Sequence, residues 1–287
     1  MVKLDFRISP IVNLYYYLER GGLSKRYLYA PLGGYRSKAI GITDRNLLDR
    51  FSFLLDREYV HSLIVSSLGG SDTVEEAKER LVISLDAWAD KLAEAMNYCW
   101  PRYIRHFEDD VKSDLEKFAN KLQQLTPEIE GRMIRAGNML GLRWGERYIV
   151  YIIEPTSLDF KPCGNAIYGE GATIEAHIEL PSLEIVDLVI HELSHSTFDS
   201  TILGLLPERL RTDYEEVREA IIFLITNTAL ERLNMPKMEE CKDERSRKVA
   251  SYVIPFWKTW QERLSSGIDQ ETFEDFLRRL MEDVASV

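Results

Sequence analysis

Between Thr73 and Trp100 the apolar positions Ala77, Leu81, Leu85, Trp88, Leu92 and Ala95 recur at helical spacing, the stripe of an amphipathic helix. Pro101 is expected to end it, because proline lacks a backbone donor and its ring clashes with the preceding turn. A second amphipathic helix is expected over Tyr103–Leu125. Pro127 then opens a third that reaches Leu140, with Gly141 as its stop.

The period changes after Gly145. Tyr148–Ile153 (YIVYII) is aromatic and β-branched, the composition of a buried strand. Thr173–Leu180 (TIEAHIEL) alternates. Ile174, Ala176, Ile178 and Leu180 are expected to face the core and Thr173, Glu175, His177 and Glu179 the solvent, as in an edge strand. Helical patterning resumes at Ser182. Helices, then strands, then helices predict an α+β fold, with a mainly helical domain over residues 1–140 and a metal-binding domain with a small mixed or antiparallel sheet over 141–287. Gly21-Gly22, Gly33-Gly34 and Gly69-Gly70 read as turns, since none precedes the Lys-Ser/Thr of a phosphate-binding loop.

Composition narrows the function. The 287 residues carry a net charge of −11, against a phosphate-backbone footprint, so nucleic acid is not an expected partner. The opening MVKLDFRISPIVNLYYYLER lacks the apolar core of a secretory leader, and the longest apolar run, Ala220–Ile225, is far short of the roughly twenty residues of a spanning helix. A cytoplasmic protein without a membrane partner is expected. Cys99, Cys163 and Cys241 form no paired-spacing motif, which suits a reducing compartment.

Chemistry concentrates in one helix. Pro181-Ser182 offers an N-cap, and Val186, Val189, Ile190 and Leu193 form the core face of LEIVDLVIHELSHSTF. His191 and His195 lie four residues apart, so their imidazoles project from a neighbouring face one turn apart and can reach a single ion. Glu192 completes His-Glu-x-x-His, in which Zn²⁺ takes two neutral imidazoles and the glutamate serves as general base. The bland alternative is a chance meeting of two of the five histidines around a glutamate.

Over residues 165–235 this motif resembles the zincin metallopeptidases, specifically the gluzincin branch that includes thermolysin. HELSHSTF and FRISPIVNLYYYLE also resemble uncharacterised HExxH families, which imply no substrate. The metzincin extension would need glycine at 198 and histidine at 201, where Phe198 and Thr201 stand. The gluzincin resemblance implies a third ligand from a glutamate on the following helix, and Pro207–Leu233 is the candidate through its stripe of Leu206, Leu210, Tyr214, Val217, Ile221 and Leu224. Glu215, twenty residues after His195, is the expected ligand. Glu219 is the alternative and Glu216 the third, while Glu215 could instead close a capping box with Thr212. Asp187 and Asp199, four residues before His191 and after His195, are candidates to orient the imidazoles, or plain solvated acids.

The resulting expectation is a zinc-dependent hydrolase of peptide bonds, with a peptide or protein as substrate, His191, His195 and Glu215 as ligands and Glu192 as base. TIEAHIEL would bind an extended peptide along its free edge. Tyr214, Tyr252, Arg218 and His177 are candidate donors to a developing oxyanion. Two rival readings stand beside it. One is a deformylase-like amidase with Cys163 as ligand, although KPCG does not match that family's cysteine motif. The other is a zinc site with a structural or regulatory role, marked by a closed fourth coordination position.

Overall fold

The computed structural model describes residues 2–18, 58–85, 87–155, 164–234, 244–266 and 271–285. The turns expected at Gly21-Gly22 and Gly33-Gly34, the Trp88 side chain, Cys163 and Cys241 lie outside the described residues. The fold is α+β, as the order of patterns implied. Strand β1 (Lys3–Arg7) and helices α1 (Pro10–Leu18), α2 (Glu58–Leu68), α3 (Val74–Leu85) and α4 (Ala87–His106) come first. A π-turn (Phe107–Val111) leads from α4 into α5 (Lys112–Leu140). Strands β2 (Arg147–Ile153), β3 (Gly164–Ile167) and β4 (Gly171–Glu175) follow, then α6 (Ser182–Leu205), a 3₁₀ turn (Glu208–Asp213), α7 (Tyr214–Ala229), α8 (Glu244–Ser266) and α9 (Phe273–Ala285).

Before the sheet strands β2–β4, helix boundaries differ from the sequence reading in three places. The stripe from Thr73 is divided around residue 86 into α3 and α4, which pack on one another. Pro101 lies inside α4 and Pro127 inside α5, so neither proline ends or opens a helix. Both are exposed, and so are Asn97 and Gln123, whose carbonyls lose their helical partner to each ring, so water can satisfy what the rings leave open.

The chain divides into two compact units instead of parting once near residue 140. One comprises residues 5–124 and 149–181. Its four-stranded sheet has the order β1-β2-β4-β3, with β4 parallel to β2 (Ile152 opposite Ile174) and antiparallel to β3 (Ala172 opposite Ala166). β4 is therefore an interior strand. The expected free edge over TIEAHIEL is not there, because both sides of β4 are hydrogen-bonded and its regular part stops at Glu175.

Of the polar residues of that alternation, Thr173, Glu175 and His177 are buried and internally satisfied, and Glu179 alone is exposed as expected. Thr173 meets the Tyr16 hydroxyl at 2.6 Å, and Glu175 holds His177 Nε2 at 2.9 Å. Tyr16 and Tyr15 also bracket His61, at 2.6 Å from Nε2 and 2.9 Å from Nδ1. Asn13 of α1 donates to the Ile152 carbonyl at 3.0 Å and accepts from the Glu154 amide at 2.8 Å, which pins the mostly buried helix PIVNLYYYL to the end of β2.

The other unit comprises residues 1–4, 125–148 and 182–287. Here α7 packs on both α6 and α8. The face Val186, Val189, Ile190 and Leu193 is fully buried, as its spacing implied, and so are Val217, Ile221 and Leu224 of α7 and Phe256 and Trp260 of α8. Arg263 is buried at the foot of α8, where it donates to the carbonyls of Leu140 at 3.2 Å and Glu271 at 2.9 Å.

Candidate metal centre

Ser182 begins α6, and the helix runs unbroken to Leu205, so its core face fixes the direction of everything between. With that face buried, His191 and His195 project together from the neighbouring face. Their rings stand edge to face with centroids 4.7 Å apart. The Nε2 atoms approach to 3.2 Å.

α7 supplies the third group. It starts at Tyr214, because the residues before it form a 3₁₀ turn instead of the α-helix expected from Pro207. Glu219 Oε2 lies 3.7 Å from His191 Nε2 and 3.5 Å from His195 Nε2. The carboxylate that meets the histidines is thus Glu219, the alternative, and not Glu215, the one expected there. Glu215 lies one turn earlier, and its Oε2 accepts from Arg218 Nη2 at 2.7 Å. It closes no capping box either, since the N-cap of α7 is Asp213 and makes no side-chain cap bond. Glu216 is drawn instead to Lys248 of α8, at 3.2 Å.

The triangle can be tested against metal chemistry. Tetrahedral Zn²⁺ with bonds of about 2.0–2.2 Å places its ligand atoms roughly 3.3–3.6 Å apart. Edges of 3.2, 3.5 and 3.7 Å match that spacing, and two imidazoles with one carboxylate are a donor set that zinc favours. Among the described residues, these three form the only His/Cys/Asp/Glu group with metal-binding spacing. The side chains of His191 and Glu219 are 28% and 20% exposed, while that of His195 is buried.

His195 Nδ1 is bound to Asp199 Oδ1 at 2.9 Å, which fixes the ring with Nε2 turned toward the group. Asp199 therefore has the orienting role expected of it. Asp187 does not, because Arg232 Nη1 holds it at 2.7 Å. Burial opposes charge on His195, but hydrogen bonds to Asp199 and Glu219 outweigh it and raise the imidazole to about 10. Burial and the neighbouring His195 push His191 down to about 4. Glu219 is disfavoured as an anion by burial, yet the bond and charge of His195 hold it far below the usual carboxylate range. One positive charge is stabilised among the three side chains, and a metal ion can replace that proton.

Glu192 sits between the histidines in sequence and is half-buried. Of the expected oxyanion donors, Tyr252 donates its hydroxyl to Asp213, and His177 is engaged by Glu175 within the other unit. Tyr214 lies beneath the Arg218 guanidinium, 5.6 Å from its ring centre, and burial raises its hydroxyl above the ordinary value. Arg218 is buried and reaches Asp199 Oδ2 at 3.3 Å and Glu219 Oε1 at 3.4 Å. Arg245 of α8, which the sequence reading did not single out, also reaches Glu219 Oε1 at 3.4 Å. Nothing in the sequence marks it, because its approach depends on how α8 lies along α7. No family model matches the chain, and neither the curated proteins nor the solved structures contain a match.

Proposed function

We propose that the protein is a zinc-dependent hydrolase of peptide bonds, built on His191, His195 and Glu219 as ligands with Glu192 as general base. The observation that carries this reading is the convergence of His191 Nε2, His195 Nε2 and Glu219 Oε2 on one point, with Glu192 next to His191 in the same helix. Held by these three side chains, Zn²⁺ would supply Lewis acidity toward a carbonyl oxygen and activation of a water near neutral pH. Glu192 takes the proton from the attacking water and returns it to the leaving amine. Asp199 holds the His195 ring with Nε2 directed at the point where the metal would sit. The partial exposure of His191 and Glu219 favours a site that admits substrate over a closed structural one.

The test begins with elemental analysis of the purified full chain. About one zinc per chain is expected, lost in His191→Ala and His195→Ala. Glu192→Gln should retain zinc and melting temperature while hydrolysis of a mixed peptide pool falls by roughly 10²–10⁴-fold, the usual worth of a positioned base. Stoichiometric zinc in the double histidine variant would overturn the site. Undiminished hydrolysis in Glu192→Gln would overturn the mechanism.

A further inference from the structure

The two oxygens of Glu219 have different surroundings. Oε2 faces the imidazoles, whereas Oε1 faces two guanidinium groups, Arg218 Nη2 and Arg245 Nη2, each at 3.4 Å. Arg218 spans more than that contact. Its Nη1 lies 3.3 Å from Asp199 Oδ2, the same carboxylate whose Oδ1 holds His195. Its Nη2 is anchored at 2.7 Å by Glu215, and Tyr214 lies under its plane. One planar fork therefore joins the acid that orients a histidine on α6 to the outer oxygen of a glutamate on α7. A lysine ammonium cannot reproduce such a span, being a point charge without fixed separation between donors.

Resting on the metal-site reading above, we infer that Arg218 is a positioning residue, assisted by Arg245, that holds Glu219 to binding metal through Oε2 alone. A carboxylate free to offer both oxygens can occupy two coordination positions. With Oε1 engaged by two guanidinium groups only one oxygen is presented, and a position stays open for water and substrate. The same fork fixes Asp199 relative to Glu219, so two of the three ligands are set by one side chain. Glu215 acts one step further out, by anchoring that fork.

Cobalt replaces zinc in this test, because Co²⁺ in a four-coordinate site absorbs visible light much more strongly than in a five- or six-coordinate one. The full-length metal-free protein is titrated with Co²⁺, and chelator competition supplies the affinity. Wild type should give the intense four-coordinate spectrum. Arg218→Met should lower the intensity at full occupancy at least twofold and weaken the metal about 10–100-fold, the range for loss of a group that orients a ligand. Arg218→Lys should restore affinity in part but not the spectrum. Arg245→Met removes an exposed side chain that lies outside the core, so it should fold normally and shift the spectrum in the same direction by a smaller amount.

If Arg218→Met lowers only the melting temperature, with the cobalt spectrum unchanged, the clamp is wrong and the arginine merely structural. Should Arg218→Met not fold, an unchanged spectrum in both Arg218→Lys and Arg245→Met overturns it equally. Failure of wild type to bind cobalt, or binding that survives the double histidine variant, overturns the metal-site reading and the clamp together. The two failures are thereby told apart.

Discussion

Glu215 and Glu219 lie on the same side of α7 one turn apart, and Arg218 between them decides which meets the histidines. Glu215 takes the short ion pair at 2.7 Å, which leaves Glu219 to turn Oε2 toward the two Nε2 atoms. Glu219→Gln should therefore lower zinc affinity by about 10²-fold or more, since an amide is a poor ligand. Glu215→Gln, acting only through the arginine, should lower it by no more than about 10-fold. Chelator competition on the two variants measures both. Equal losses, or the reverse order, would put the wrong carboxylate at the metal. The approach of the two histidines was legible from spacing alone, because an unbroken helix converts a four-residue interval into one face. The carboxylate that meets them was not. The 3₁₀ turn over Glu208–Asp213 changes rise and rotation before α7 begins, and an apolar stripe running through Leu210 and Tyr214 does not reveal that change.

At the scale of elements, alternation proved a poor guide to exposure. TIEAHIEL was read as a strand with a wet face, but Thr173 and Glu175 are buried because Tyr16 and His177 satisfy them. A polar residue with a dedicated partner costs little to bury, and hydropathy alone does not show the partner. The prolines mislead for a related reason, since an exposed helix face tolerates a ring that a buried one would not. β4 also reaches its neighbour at close range: a Cβ on Gly171 would stand 1.8 Å from the Ile149 carbonyl oxygen, a backbone atom fixed by the parallel pairing. Gly171→Ala must push the two central strands apart, and should cost about 1–3 kcal/mol. Urea denaturation followed by circular dichroism measures this. A loss below about 0.5 kcal/mol would mean that the strand pairing is looser than described.

For the whole molecule, every proposed ligand and positioning group belongs to the unit of residues 1–4, 125–148 and 182–287, while the sheet pairing of β2 with β4 over residues 149–153 and 171–175 belongs to the other. No helix among the described residues is long and apolar enough to cross a membrane. Each unit buries its own apolar groups, the first around Ile190, Ile221 and Trp260 and the second around Tyr15, Phe118 and Ile152. A ligand that binds only the folded form stabilises it by RT ln(1 + [L]/Kd), about 2.7 kcal/mol at a hundredfold excess over Kd. That stabilisation acts on the openings that separate the ligands, and those are openings of α6 from α7. Hydrogen exchange with and without zinc should therefore show slowing over residues 185–229, by roughly the hundredfold that this free energy implies where exchange needs the site to open. Amides of 150–153 and 172–175 should exchange at unchanged rates. Equal slowing in both segments would show that the two units open as one, and slowing confined to the sheet would place the metal elsewhere.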